Sequence, residues 1–390
     1  MSSRALSRWH SAVRNPYLLV ATCLALVGVV VVTMVATMPA GALDGPKVQA
    51  TWRTPPHATC SAVQVPVKLA PIGLKLDKIS GELCVPAGPR PSTVQVLVAG
   101  ATYDRYYWNP PDQPQSYSYV WAATRAGYAT LDIDPLGTGL SSHPLSALVT
   151  VPTSAYTVHQ VIQAARNGSL GASFSRVILT AHSMGTALAW NEVANYQDVD
   201  GLIASDNVHI PSLVGAVNGA ITLYPAMLDP KFAKAGLDPG YLTTRPGTRI
   251  SAFYNSADAD SSVVAADESL KQVVTATFMA SYFAEDVDLD SSRIHVPVLV
   301  AAGQHDSIMC GLLGTNCSTS STLLDAEAPF YGNPATCLQS YVLPRAGHDI
   351  NLSVGAAGFF GVANRWANRW VGSTGAAPKH TCSGPAGPAS

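Results

Sequence analysis

The chain alternates short, almost wholly apolar runs with longer segments whose apolar residues recur at helical spacing. Thr93–Ala99, Tyr128–Ile133, Arg176–Thr180, Gly201–Ser205, Val296–Ala302 and Ser340–Leu343 read as strands. Runs of this kind suit strands buried on both faces. Tyr117–Ala126, Ser154–Arg166, Met184–Tyr196 and a long segment from Val354 to Val371 read as helices, and Asn167-Gly168 supplies a stop signal for the second. Ahead of these, Val63–Val67 and Lys78–Val85 predict a β-hairpin. Strands alternating with helices predict an α/β fold, with a mostly parallel central sheet covered on both faces.

Residues 211–290 break that rhythm. They hold no obvious buried strand, but helical pieces, Gly-Pro breaks and many acidic and aromatic residues, and they lie between two sheet strands. They are expected to form a helical cap inserted between late strands. The core is then split into 43–210 and 291–373, followed by a Gly/Pro-rich tail, 374–390, expected to be extended.

The first 42 residues differ from the rest. Arg4, Arg8 and Arg14 precede a stretch from Asn15 to Leu43 with no charged residue, and Tyr17–Met38 is almost wholly apolar. The apolar stretch is long enough to span a bilayer. It also runs into Ala40-Gly41-Ala42, an acceptable signal-peptidase site. A cleaved signal peptide and a retained membrane anchor both remain open. In either case the positive flank stays inside and the bulk of the chain ends outside, secreted or held at the outer face of the membrane. Membrane contact is expected only through this segment.

Charge narrows the possible partners. Asp, Glu, Lys and Arg make up 12% of the chain, and the formal net charge is −2 with no basic run beyond the N-terminus. A nucleic-acid partner would want a concentrated basic face, and none is present. Apolar residues at 47% allow a substantial core. Cys23 lies in the apolar segment, and six cysteines follow it into what should be an oxidising compartment. Cys60 and Cys84 flank the predicted hairpin, and Cys310 and Cys317 close a short loop. Cys337 and Cys382 remain to tie down the tail, so Cys60–Cys84, Cys310–Cys317 and Cys337–Cys382 are the expected pairs. No Cys-x-x-Cys pair or His/Cys cluster has zinc spacing, so neither a metal nor a cofactor is expected.

The strongest chemical signal is Val177-Ile-Leu-Thr-Ala-His-Ser-Met-Gly-Thr186. A buried strand runs directly into a helix through Ala181-His182-Ser183-Met184-Gly185. The usual pattern is G-x-S-x-G, with Ala181 here in place of the first glycine. Small residues on either side permit a tight turn that exposes Ser183 Oγ at a helix N-terminus, where backbone N–H groups can face a developing oxyanion. A serine hydroxyl needs a base, and the base needs an orienting acid. Asp306 follows the Val296–Gly303 strand, and His348 ends the strand and turn Ser340-Tyr-Val-Leu-Pro-Arg-Ala-Gly-His348. These are the expected acid and base, with Asp206 in Ala204-Ser205-Asp206 as the rival acid. His182 and His305 are given no proton-transfer role. Met184 N–H is the first expected oxyanion donor, and Ala101 or Thr102, in the turn opened by Gly100, is the second.

These motifs resemble the α/β-hydrolase superfamily, of the kind with a cap between the sixth and seventh strands. The similarity covers about residues 60–372. Asp132-Ile-Asp-Pro-Leu-Gly-Thr-Gly-Leu-Ser141 is similar to the Gly-rich loop after the family's fourth strand, whereas Ala99 stands where a His would be expected before Gly100. The resemblance implies hydrolysis through an acyl-enzyme. A serine at position 183 argues against the epoxide hydrolase and dehalogenase branches, which use a carboxylate nucleophile. An exported carboxylic-ester hydrolase of esterase or lipase type, acting on a small-molecule or lipid ester, is expected. A peptidase or acyltransferase on the same triad, or a catalytically inactive binding protein, are the alternatives.

Overall fold

The computed structural model describes residues 53–390, except 74, 285, 286 and 380. The N-terminal signal or anchor segment lies outside them. Among the described residues, no helix is long and apolar enough to cross a membrane.

The first hairpin is β1 (Ala58–Val67) with β2 (Asp77–Pro86), antiparallel and with Cys60 opposite Cys84. The core then follows as β3 (Thr93–Val98), α1 (Tyr119–Arg125), β4 (Ala129–Ile133), α2 (Val151–Asn167), β5 (Arg176–His182), α3 (Met184–Tyr196) and β6 (Gly201–Ser205). β3, β4, β5 and β6 are buried at every position, as their continuous apolar runs require. α2 begins one turn earlier than expected because Thr150 caps Thr153 N and Pro152 fits the first turn; Gly168, at positive φ, ends it.

The cap opens with α4 (Leu213–Thr222), β7 (Leu223–Pro225), β8 (Tyr241–Thr244) and α5 (Arg249–Phe253). It continues with α6 (Ser261–Leu270), β9 (Val274–Thr275), α7 (Ala276–Ala284) and α8 (Val287–Ser292). The expectation of an all-helical segment is corrected by a small antiparallel sheet, β7-β8-β9. Strands of two to four residues leave too short an alternation for sequence to mark. The core resumes with β10 (Val298–Gly303), α9 (Ser320–Glu327), β11 (Gln339–Leu343) and α10 (Ala356–Trp370).

The main sheet has the order β1-β2-β4-β3-β5-β6-β10-β11-β12. It is parallel from β4 to β12, with β1 and β2 antiparallel at one edge. β12 (Gly387–Pro388) lies in the tail, which pairs with β11 and is not merely extended. The Cys337–Cys382 bridge brings it there, and Cys60–Cys84 and Cys310–Cys317 are also joined. β5 lies between β3 and β6, so its C-terminal end opens at the middle of the sheet's edge.

Candidate active site

β5 delivers Ser183 at its C-terminal end. Ser183 has φ 52° and ψ −128°, a backbone state that a non-glycine residue adopts at a cost of about 1–3 kcal/mol. The surroundings leave little alternative. A Cβ at Gly185 would lie 2.6 Å from Ala99 O, and one at Gly100 would lie 2.8 Å from Ser183 Cβ. Ser183 N donates to Ser205 O at 2.8 Å, and Asn207 Nδ2 donates to Ser183 O at 3.0 Å. The turn is thus bonded to β6 and to the segment that leaves it.

The three expected residues meet here. His348 Nε2 lies 2.8 Å from Ser183 Oγ, and His348 Nδ1 lies 2.9 Å from Asp306 Oδ2. Asp306 Oδ1 accepts from Ile308 N at 2.9 Å and Met309 N at 3.0 Å, which fixes the carboxylate. The acid and His turns also touch each other: His305 N donates to Ala346 O at 2.8 Å, and any Cβ at Gly303 would overlap Gly347 O. His305 itself is exposed. Cys310–Cys317 closes the loop that follows Asp306, and Cys310 N donates to Asp306 O.

The rival acid is elsewhere. Asp206 is fully buried, and its Oδ1 accepts from Gly303 N at 3.0 Å; its Oδ2 lies 3.4 Å from His182 Nδ1. Burial disfavours the imidazolium of His348, but the charge and hydrogen bond of Asp306, with the charge of Asp349, outweigh it and raise its pKa above the ordinary value. His182 goes the other way. Burial first, and then His348, hold its pKa well below the ordinary value. His182 is stacked on Tyr107 at 4.0 Å, and Tyr107 OH is 3.0 Å from its Nδ1.

Sequence reasoning missed a buried polar network that joins the cap to this site. Arg249, on α5 of the cap, is fully buried and forms a two-pronged pair with Asp267 on α6: Nε to Oδ2 at 2.9 Å and Nη2 to Oδ1 at 2.8 Å. Arg249 Nη1 donates to Thr102 Oγ1 at 3.0 Å. Thr102 has φ 64°, unusual for a β-branched residue, and its carbonyl accepts from Gln272 N of the cap. Tyr103 OH lies within hydrogen-bond reach of both Asp267 Oδ2 and Asp349 Oδ2, next to His348, and can donate its one proton to either. Burial pushes the Asp349 carboxyl up to about 6, against the charges of His348 and Arg249. The sequence signal for Arg249 and Asp267 was only a cap segment with many acidic and aromatic residues, and Tyr103 and Asp349, outside the cap, carried none.

Ser183 and His348 line a cavity of about 720 Å³, counted with its mouth. Ala101, Thr102 and Met184 share the wall. The remainder is largely apolar: Leu223, Phe253, Met279, Tyr282 and Phe283 from the cap, and Ile308 and Met309 beside the acid. A second cavity, about 410 Å³, also touches Ala101 and Met184 and is lined by Leu136, Leu188, Val274 and Phe278 among others. Thr102 faces only the first.

A turned strand-to-helix serine, a late-strand acid and a His turn on this sheet define a hydrolase class. The sequence profile of the alpha/beta hydrolase family matches residues 95–360, and the chain belongs to that family. No curated protein sequence matches the chain. Several solved structures share the fold. An aryl esterase candidate from Burkholderia cenocepacia is 17% identical with a TM-score of 0.54, over 79% of this chain and 98% of that one. An esterase from Pyrococcus furiosus is 14% identical with a TM-score of 0.51, over 84% and 99%. A peroxisomal alpha-beta-hydrolase from Saccharomyces cerevisiae is 13% identical with a TM-score of 0.50, over 80% and 88%.

Proposed function

We propose that this alpha/beta hydrolase is an extracytoplasmic serine esterase that cleaves carboxylic esters with an apolar acyl group. The observation that carries the reading is His348, which bridges Ser183 Oγ and Asp306 Oδ2 at hydrogen-bond distance on both sides. Asp306 holds His348 in the tautomer with the proton on Nδ1, leaving Nε2 free to accept. Ser183 Oγ attacks the ester carbonyl as its proton passes to His348 Nε2. The tetrahedral oxyanion is held by Met184 N–H and by the Gly100–Thr102 loop. Ala101 is the favoured second donor, because it alone of the two candidates borders both cavities with Met184. His348 returns the proton to the departing alkoxide, which leaves as the alcohol. Water, deprotonated by the same Nε2, then attacks the acyl-enzyme, releasing the carboxylic acid and restoring Ser183.

Two cavities that share Ala101 and Met184, the neighbour of the nucleophile, suit the two halves of an ester, and their apolar walls favour hydrocarbon over charged groups. Export is supported by the positive-then-apolar N-terminus and by three disulfides in the described residues. The chemistry proposed needs no cofactor. The test is labelling by a fluorophosphonate, followed by turnover of p-nitrophenyl esters of increasing chain length beside aminoacyl amides. Ser183→Ala should stay folded and lose both labelling and ester turnover. A folded Ser183→Ala protein that still cleaves esters, or a wild type that turns over only amides, would overturn the reading.

A further inference from the structure

Away from the Ser183 cavity, helices α2 and α3 pack together around a second group of ionisable side chains. His159 comes from α2, Glu192 from α3, and Asp198 from the loop leading to β6. His159 Nδ1 is 2.8 Å from Asp198 Oδ2 and 3.9 Å from Glu192 Oε1. One donor atom from each of the three lies within 4.8 Å of the others.

Glu192 is the anomaly. Its side chain is 0% exposed, and no N–H or hydroxyl donates to either carboxylate oxygen; what it has within reach is the Asp198 carboxylate, with which it can share a proton. Asp198 Oδ1 is also buried without a donor. A buried carboxylate without donors is costly, and a second carboxylate beside it raises the cost. The neighbouring cation acts on it only at a distance: Arg166 Nη2 is bonded to Asp200 Oδ2 at 2.6 Å and to the Asp198 backbone carbonyl, and its charge offsets only part of the burial. Burial first, and then the Asp198 charge, push the Glu192 carboxyl well above its usual range. Something positive is wanted between these groups.

We propose that His159, Glu192 and Asp198 form a binding site for a divalent transition metal of the zinc type. One imidazole nitrogen with two carboxylate oxygens is a zinc-like donor set, whereas calcium and magnesium want oxygen alone. Tetrahedral ligands at about 2.0–2.1 Å from zinc stand about 3.3 Å apart. The 2.8 and 3.9 Å separations straddle that value, so small side-chain rotations suffice. Two carboxylates and a neutral imidazole cancel the charge of the ion. The ring is already oriented: Tyr196 stacks on His159 at 4.1 Å, and Gln163 Nε2 holds Asp198 Oδ2 at 2.6 Å. His159 and Asp198 keep side-chain exposures of 23% and 13%, which gives an entry path and a fourth position for water. The site lies toward the C-terminal end of α3, where the helix dipole favours a cation. Its ligands come from three separate segments, so no spacing in the sequence marks it. The role is structural, clamping α2 to α3, the helix that follows Ser183.

The test is equilibrium dialysis of the chelator-treated full chain against zinc, with metal analysis and thermal unfolding. One zinc per chain is expected, with a Tm rise on the order of 5 °C at a hundredfold excess over Kd. Magnesium and calcium should give little. Glu192→Gln keeps the shape and His159→Phe keeps the ring stack; each should weaken zinc binding by about 100-fold or more. Cobalt in the wild type should shift the His159 ring resonances. If no zinc is retained and Tm is unchanged, a proton shared between Glu192 and Asp198 neutralises the pair and the proposal fails. It also fails if both variants bind zinc like the wild type. Should the variants not fold, unshifted His159 resonances in the cobalt-loaded wild type would refute it. None of these outcomes depends on the role of Ser183.

Discussion

Replacing Arg249 by Met removes the group that couples the cap to the Gly100–Thr102 loop, for which an oxyanion-holding role is proposed. The guanidinium is fully buried, so its loss leaves Asp267 unpaired beside Asp349 and frees Thr102 Oγ1. Breaking a buried pair from one side costs about 3–5 kcal/mol. At about 2.1 cal/mol/K of unfolding entropy per residue, a fold of this length loses about 1.4 °C per kcal/mol, so Tm should fall by about 4–7 °C. Stability alone would not separate a positioning role from a packing role. Thr102→Val does, because it keeps the β-branched shape at φ 64° and removes only the acceptor for Arg249 Nη1. Full loss of one oxyanion donor costs about 10²–10³ in kcat, so a loosened loop should cost about 10–100-fold. KM for a p-nitrophenyl ester should change less than about twofold, since the loop acts on the transition state. The assays are steady-state kinetics and thermal unfolding of both variants. A folded Thr102→Val protein with wild-type kcat would refute the coupling, as would an Arg249→Met protein with unchanged Tm and kcat.

Three further outcomes are expected. Asp306→Asn should lower kcat by about 10⁴ through loss of the His348 tautomer, while Asp206→Asn, which touches Gly303 N and not His348, should cost far less; equal losses would move the acid to β6. Ester turnover should fall as pH drops through a His348 pKa above 6.5, because imidazolium cannot accept the Ser183 proton, and Asp349→Asn should move that midpoint downward by removing a charge that raises it; an upward shift would contradict the electrostatics. Opening Cys310–Cys317 should destabilise by about 2.5 kcal/mol and opening Cys337–Cys382 by about 4 kcal/mol on loop-closure entropy, yet the first should cost more activity because its loop follows Asp306; denaturant titration beside kinetics checks the order.

Much of this molecule was legible in the chain itself. The sheet strands are continuous apolar runs because both their faces are covered, and that pattern survives without knowledge of neighbours. The serine turn was legible because its geometry demands small residues at fixed offsets: a side chain at Gly185 would strike the Ala99 carbonyl. Asp306 and His348 each follow a recognisable strand, and six cysteines allowed a pairing that the structure reproduces. Tertiary structure decided the rest. Asp206 and Asp306 look alike in sequence, each just past a strand, and only the crossing of β10 with the His turn brings one of them to His348. Arg249, Asp267, Tyr103 and Asp349 come from four segments with no shared period, and His159, Glu192 and Asp198 from three. Periodicity reports which face of an element is buried, whereas a buried polar partnership depends on which elements meet, and that is fixed only when the chain has folded.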